Sequence, residues 1–438
     1  MPCRGGLGAS YVIMTGLVVL LVLGLSAPKA RAESLRSALQ RTLSLNPTIN
    51  AEREKLRAVE ETTGIAGANF RPNLTLNGDV TRENLYTDLG GSGATDDTYT
   101  SRGYSVNISQ PLYRGGRTVA ALNEADANIL AARESLRNVE QSTLLDVATT
   151  YISLVRDRAI KRLRENNLRL LNKQLEATIA RQKAGVVTET DVAQALSRKS
   201  SAQSDVALAD ANLRTNVAEY IRITSRTPTG LHFPVLRKRQ PVANLALAIR
   251  LGKNQNPAIL AARYARDAAK FRIDQVRGER LPEFSLEAGF AQRWDITKSI
   301  EEQRTANIRL RGSLPLYQGG AVRARIRQGQ ATLRQASLQI SAAVSLARSQ
   351  AVSSWGNLIV GRARIKSAKV QIKATEKALF GVQNEEKVGQ RTVLDVLNAE
   401  EEVLDAKVIL QQAKSAHIIA YFSLLSAMGR LTLESTSY

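Results

Sequence analysis

The sequence predicts an α+β membrane protein built as a tandem structural repeat, with four β-strands joining a barrel shared between chains and very long helices extending from it. Three observations predict this. Motifs return at a nearly fixed offset: Asn46-Pro47-Thr48-Ile49 recurs as Asn256-Pro257-Ala258-Ile259, 210 positions on, and Pro111-Leu112-Tyr113-Arg114-Gly115-Gly116 recurs as Pro315-Leu316-Tyr317-Gln318-Gly319-Gly320, 204 positions on. Four segments alternate apolar and polar residues at period two. Two proline-free stretches, 112–227 and 316–438, are longer than any helical hairpin of an ordinary globular domain needs.

The elements follow in chain order. Residues 1–32 read as a secretory signal peptide: Arg4 charges the start, Tyr11 to Leu25 is apolar, and Ala30-Arg31-Ala32 is an A-x-A cleavage site. The apolar run falls short of the ~20 residues of a spanning helix. The only cysteine, Cys3, lies in this leader, so the mature chain is expected to start at Glu33 without a thiol, a disulfide or a lipid-anchoring cysteine.

The first structural repeat is assigned to 33–241 and the second to 242–438. Each begins with Asn at an N-cap and Pro at the first helical position, where a missing N–H leaves nothing unsatisfied. These helices are expected over about 47–68 and 257–278. The period then becomes two. Leu74, Leu76, Val80 and Tyr86 alternate with Thr75, Asn77, Asp79 and Glu83, giving strands at about 72–86 and 100–113; Phe284, Leu286, Phe290 and Trp294 begin the matching pair at about 283–296 and 305–317. The offset falls by six between Tyr86 and Tyr104, where the Gly-rich stretch around Gly90 and Gly91 reads as an enlarged loop. Strands of this kind, with Tyr or Trp toward their ends, fit a lipid-facing barrel. Four of them leave two unpaired edges, which lipid does not tolerate, so the barrel is expected to be completed by other copies.

Arg117 to Lys183 and Ala321 to Lys387 are 67 residues each, about 100 Å of helix at ~1.5 Å per residue. Each ends in a Gly-marked bend, with hairpin tips at about 184–191 and 388–395. Gly185 and Gly389 stop the helix, and Thr188 and Thr392 cap the next one, with Asp191 and Asp395 placed to complete a capping box. The return helices, 188–224 and 392–428, are shorter than the long ones. Laid end to end with the incoming helices, they leave a gap midway, where 33–45, the Pro-rich connector 225–241 and the tail from Gly429 are expected to form a belt.

Little in the chain looks catalytic. His232 and His417 are far apart and lack a ligand pattern, no phosphate-loop motif is present, and Glu400-Glu401-Glu402 reads as a solvated helix face. No enzyme activity, metal or cofactor is expected. The net charge of +21 would suggest nucleic acid in a cytosolic protein; behind an export signal it suggests solvated helix faces and contact with acidic headgroups or partners. A basic coiled-coil protein, structural or nucleic-acid-binding, is the alternative, and the leader and the alternating strands argue against it. The polar residues at the tips are the candidate site: Glu176, Arg391 and Asp395 are expected to meet across neighbouring helices where the cylinder narrows. A cation at a helix N-terminus opposes the dipole, so capping does not explain Arg391.

The duplicated order, the Asn-Pro starts, Gln110-Pro111-Leu112-Tyr113 and, above all, Val388-Gly389-Gln390-Arg391-Thr392-Val393-Leu394-Asp395-Val396-Leu397 resemble the TolC family of outer-membrane efflux and secretion channels over essentially the whole mature chain. The resemblance implies a homotrimer with a twelve-stranded trimeric β-barrel in outer-membrane lipid, a long periplasmic α-helical barrel and an equatorial belt. It further implies hairpin tips, including Gly185, Thr188, Asp191, Val388, Gly389 and Thr392, that dock a periplasmic adaptor (membrane fusion) protein tied to an inner-membrane RND or ABC transporter. It makes Arg391 the gate arginine, Asp395 one aspartate of a pore ring and Glu176 an acidic partner of the arginine. Glu386 stands where the family prototype has a gate tyrosine, and Asn398 where it has a second ring aspartate, which predicts a different latch and a less negative constriction.

Overall fold

The computed structural model describes residues 34–88, 90–91, 94–236, 241–297 and 300–436; the leader with Cys3 and Glu33 lies outside the described residues. Each repeat is a short helix, a helix of 22 residues, a β-hairpin, a 67-residue helix and a return helix. In the first repeat these are α1 (Leu35–Leu45), α2 (Pro47–Ala68), β1 (Asn73–Asp88), β2 (Ala94–Arg114), α3 (Arg117–Lys183) and α4 (Glu189–Thr224). In the second they are α5 (Leu245–Gln255), α6 (Pro257–Gly278), β3 (Glu283–Thr297), β4 (Ile300–Ser313), α7 (Ala321–Lys387) and α8 (Val393–Ala427), followed by a 3₁₀ turn at Glu434–Thr436.

The Asn-Pro motif does more than start a helix. Asn46 Oδ1 accepts from the N–H of Thr48 at 2.9 Å, while its Nδ2 donates to the carbonyl of Ile223 at the end of α4, also at 2.9 Å. Asn256 repeats this with Ala258 N–H at 3.0 Å and the carbonyl of Ala427 at 3.1 Å. Each return helix is thereby joined head to tail with an incoming helix, and the pair runs beside the long helix of the hairpin. Around this junction lies the main core: Leu35, Leu39, Val147, Tyr151, Leu154 and Tyr220 from the first repeat with Leu358, Phe422, Leu424 and Met428 from the second. Of the segments expected at the belt, 33–45 holds the helix α1, whereas the described part of the connector, 225–236, has no regular element, and the second belt helix, α5, follows it. Ser34 caps α1 by accepting from Ser37 N–H at 3.2 Å, and Leu35, Ala38, Leu39 and Thr42 form its buried stripe; Asn244 caps α5 in the same way.

The strands form one antiparallel sheet in the order β1-β2-β3-β4. The hairpin registers of the two repeats are equivalent: Gly78 lies opposite Tyr104, and Ala288 opposite Ile308, the same positions shifted by 210 and 204. β2 pairs with β3, Val106 opposite Phe290, so the two repeats are one continuous ribbon. One face carries Leu74, Leu76, Val80, Phe284, Leu286, Ile308 and Leu310, all exposed. Gly90 and Gly91 form the bend, as read, but the ladder runs closer to it than the strand bounds 72–86 and 100–113 suggested, since β1 continues to Asp88 and β2 begins at Ala94. Alternation stops there because both faces of Ala94–Gly103 are polar, as expected of strands that continue beyond lipid. The upper edge of the apolar band is marked by Tyr104, whose ring lies 6.0 Å from Trp294 and 6.2 Å from Phe290.

Gly115 and Gly116, both left-handed (φ 60° and 73°), swing the chain from β2 into α3. A Cβ on Gly115 would lie 2.3 Å from the carbonyl oxygen of Gly278, so only glycine allows α6 to end against this turn. Arg114 Nε at 3.1 Å and Arg117 hold Glu283 at the start of β3, clamping the two repeats together at the base of the sheet.

Candidate functional site: the hairpin tips

The two tips are built alike. Gly185 (φ 77°) and Gly389 (φ 78°) take the left-handed turn; the N–H of Val186 donates to Arg181 carbonyl at 3.0 Å, and that of Gln390 to Glu385 carbonyl at 2.9 Å. These 6→1 bonds satisfy the last carbonyls of the long helix. Thr188 and Thr392 then cap α4 and α8 in full capping boxes: Asp191 Oδ2 accepts from Thr188 N–H at 2.9 Å, and Asp395 Oδ2 from Thr392 N–H at 2.9 Å and its hydroxyl at 2.8 Å. Those bonds from Thr392, together with the nearby charge of Arg391, hold the Asp395 carboxyl below its usual range. Val186 and Val388 project from the turns, 72 % and 71 % exposed.

Within the protomer, Glu176 and Arg391 do not meet. Glu176 is exposed on α3. Arg391 turns back across its own bend, its Nε 3.0 Å from Glu385 Oε2. The side chains that join the two hairpins are others. Arg181 at the end of α3 donates to Glu386 at the end of α7 over 2.6 Å. Arg198 on α4 reaches Glu401 at 2.5 Å and Asn398 at 2.7 Å on α8. Farther from the tip, Arg164 lies 3.2 Å from Asp205 and 3.6 Å from Asp405, touching α4 and α8 at once. Beneath these bonds Leu171, Ala202, Val393 and Leu397 form a small apolar node with Leu168.

Glu386 and Asn398, the two departures from the family pattern, are therefore both engaged, each with an arginine of the other hairpin. Sequence reading missed Arg181, Arg198 and Glu401 because each pair is separated by about two hundred residues and carries no motif. Glu400 is the other correction. It is buried, 7 % exposed, with Oε2 unpaired, and burial pushes its carboxyl above the usual range against the opposing effect of a bond from Gln383. Glu401 is ion-paired, so only Glu402 of the three fits a free solvated face. His417 is a packing residue: its Nδ1 lies 3.1 Å from the Leu358 carbonyl, and Gly361 makes room for its backbone.

Among the described residues no group of three His, Cys, Asp or Glu stands together as a metal site, and no helix is long and apolar enough to cross a membrane.

The sequence matches the family described as Outer membrane efflux protein over residues 38–224 and 248–430, one segment in each repeat. The outer membrane efflux protein BepC of Brucella suis biovar 1 is 33 % identical, over 97 % of this chain and 90 % of that protein. The outer membrane protein TolC of Escherichia coli K12 is 26 % identical over 95 % and 86 %. Among solved structures, the CmeC outer membrane channel of Campylobacter jejuni has the same fold at 15 % identity, with a TM-score of 0.82 over 90 % of this chain and 85 % of that one.

Proposed function

Because this chain belongs to the outer membrane efflux protein family and is an outer-membrane channel protein rather than an enzyme, we propose that three copies form a passive exit duct for an efflux or type I secretion system, fed by an inner-membrane pump through a periplasmic adaptor. The observation that carries this reading is the ribbon itself: four strands with an apolar exposed face and two free ladder edges, β1 and β4. In lipid those edges must be paired. Pairing β4 of one copy with β1 of the next closes twelve strands and leaves no edge.

Helix contacts repeat the same logic. α3 packs on α2, α4, α6 and α8, and α7 on α6 and α8, which leaves α2 and α4 at one border of the protomer and α7 at the other. Three protomers set border to border make a cylinder of single-layer helices, continuing the barrel by about 100 Å. Its narrow end is at the tips. There Glu176, Arg391 and Asp395 would be repeated by symmetry around the pore, and the exposed valines with Gly185, Thr188, Asp191, Gly389 and Thr392 form the surface offered to the adaptor. The Arg181–Glu386 and Arg198–Glu401 pairs would hold the two hairpins of each copy together in the resting state.

Purified protein in a planar lipid bilayer tests the reading. Discrete channels are expected, with larger conductance in Arg391→Ser and weaker block by divalent or trivalent cations in Asp395→Ala. A protein that never conducts contradicts the duct, and unchanged block removes Asp395 from the pore.

A further inference from the structure

The lower half of α7 carries a stripe of cations that the fold does not use. Lys366, Lys369, Lys373 and Lys377 recur at intervals of three and four residues, so they lie on one face of the helix. All four are exposed, and none has a carboxylate partner among the described residues. Like charges at this spacing repel and destabilise a helix. The other repeat supplies an internal comparison: at the position of Lys369, 204 residues earlier, α3 has Glu165, which lies 3.7 Å from Lys161.

Three occupants are possible, and two fit poorly. A membrane is too far away, because Lys366 lies 46 residues beyond the N-cap Gly320, about 70 Å down the helix. A second copy of the chain brings the wrong chemistry. The border that α4 presents is Leu196, Ser200, Ser204, Leu208, Ala211 and Thr215, exposed and uncharged. It suits the small residues Ser349, Gly356, Ala363, Ser367 and Ala374 on another face of α7. The lysines instead continue the face of Trp355, which packs against the belt core, at 359, 362, 366, 369 and 373. They therefore point to the belt side, below the belt.

We infer that this stripe is a docking surface for an acidic amphipathic helix of a periplasmic partner, laid along α7 above the tip. The lysines span 12 residues, eleven helical steps of about 16 Å or three turns, the length over which carboxylates at the same helical period face each of them. Exposed Val370 (62 %) and Phe380 (68 %) flank the stripe and supply apolar contact that a flexible polyanion would not use. The inference rests on the duct reading only for placing the stripe in the periplasm.

The test uses the purified full chain in detergent and a fluorescent synthetic helical peptide with Glu at heptad spacing and Leu beside it; anisotropy is the readout. Binding is expected to weaken about tenfold in K366E/K369E/K373E/K377E, the combined effect of several modest exposed ion pairs, and to survive when all four lysines become arginine. Equal binding by the charge-reversed protein overturns the inference. So does equal affinity of the native protein for poly-glutamate, which would mean a shapeless polyanion surface. Loss of the trimer on unboiled gels in the charge-reversed protein would assign the stripe to contacts between copies and also overturn it. Bilayer conductance of the native protein is measured separately; its absence would remove the duct while leaving the peptide titration to decide the stripe.

Discussion

Arg181 and Glu386 face each other across the ends of the two long helices, Nη1 to Oε1 at 2.6 Å, with Glu386 the more shielded of the two at 15 % side-chain exposure against 44 %. This pair ties the ends of the two hairpins together within one protomer. Exposed ion pairs are individually modest, so breaking it alone is expected to raise the open fraction of single channels about two- to fivefold. Glu386→Gln combined with Arg198→Ala, which also frees Glu401 and Asn398, is expected to exceed either change alone. Single-channel recordings check this; no change in the double variant removes both pairs from the latch.

Asp395 accepts two bonds from Thr392, and its carboxyl is held low by them and by Arg391. A carboxyl lowered on folding contributes stability above its ordinary value of 3.8 and loses that contribution as pH falls through the folded value. Hydrogen exchange at Val393 to Val396 is therefore expected to quicken about fivefold in Asp395→Ala at neutral pH, the usual scale of a lost cap. The difference from native protein should vanish in acid. A difference that stays undiminished as the pH is lowered stepwise through the acid range contradicts the capping account.

Glu400 carries the opposite sign. Its carboxyl is raised by burial on α8, so its contribution to folding is fully present only below the ordinary carboxylate range and is lost as pH rises through the folded value. Glu400→Gln keeps the shape and removes the buried charge. Its melting temperature should exceed that of the native protein at pH 8 and match it near pH 4. A lower melting temperature at pH 8 would mean that the charge is satisfied by a group on a neighbouring copy.

Gly389 needs its left-handed backbone and has open space where a Cβ would stand. Gly389→Ala is therefore expected to cost about 1 kcal/mol of strain and to fray the last turn of α7, visible as faster exchange at Gln390, without unfolding the rods. Global unfolding would show that the tip is packed more tightly than a single protomer reveals.

How much of this was legible in the sequence differs by level. Asn46, Asn256, Gly185 and Gly389 announce the ends of helices through local chemistry, and the 210- and 204-residue offsets announce the repeat. The alternation from Leu74 to Val80 shows a strand because one face meets lipid; Ala94 to Gly103 does not, because beyond the lipid band both faces are polar. The belt helices were hidden by their length, 11 residues each, too short for periodicity to separate them from irregular chain. At the tips the capping boxes could be read from four adjacent residues. The partners of Arg181 and Arg198 could not, since only the fold brings α3 and α4 beside α7 and α8.

The central claim is that the ribbon closes through other copies, and the repeat specifies how. Transferring the β2–β3 register by the repeat offsets places Leu310 of β4 opposite Val80 of a neighbouring β1, as Val106 lies opposite Phe290. Because the only cysteine is Cys3, Val80→Cys with Leu310→Cys introduces a single reportable pair. Oxidation in membranes, followed by denaturing electrophoresis without reductant, is expected to give a covalent trimer, and neither single variant should do so. A band that stays monomeric in the double variant, from protein shown to be in the outer membrane, would contradict the shared barrel.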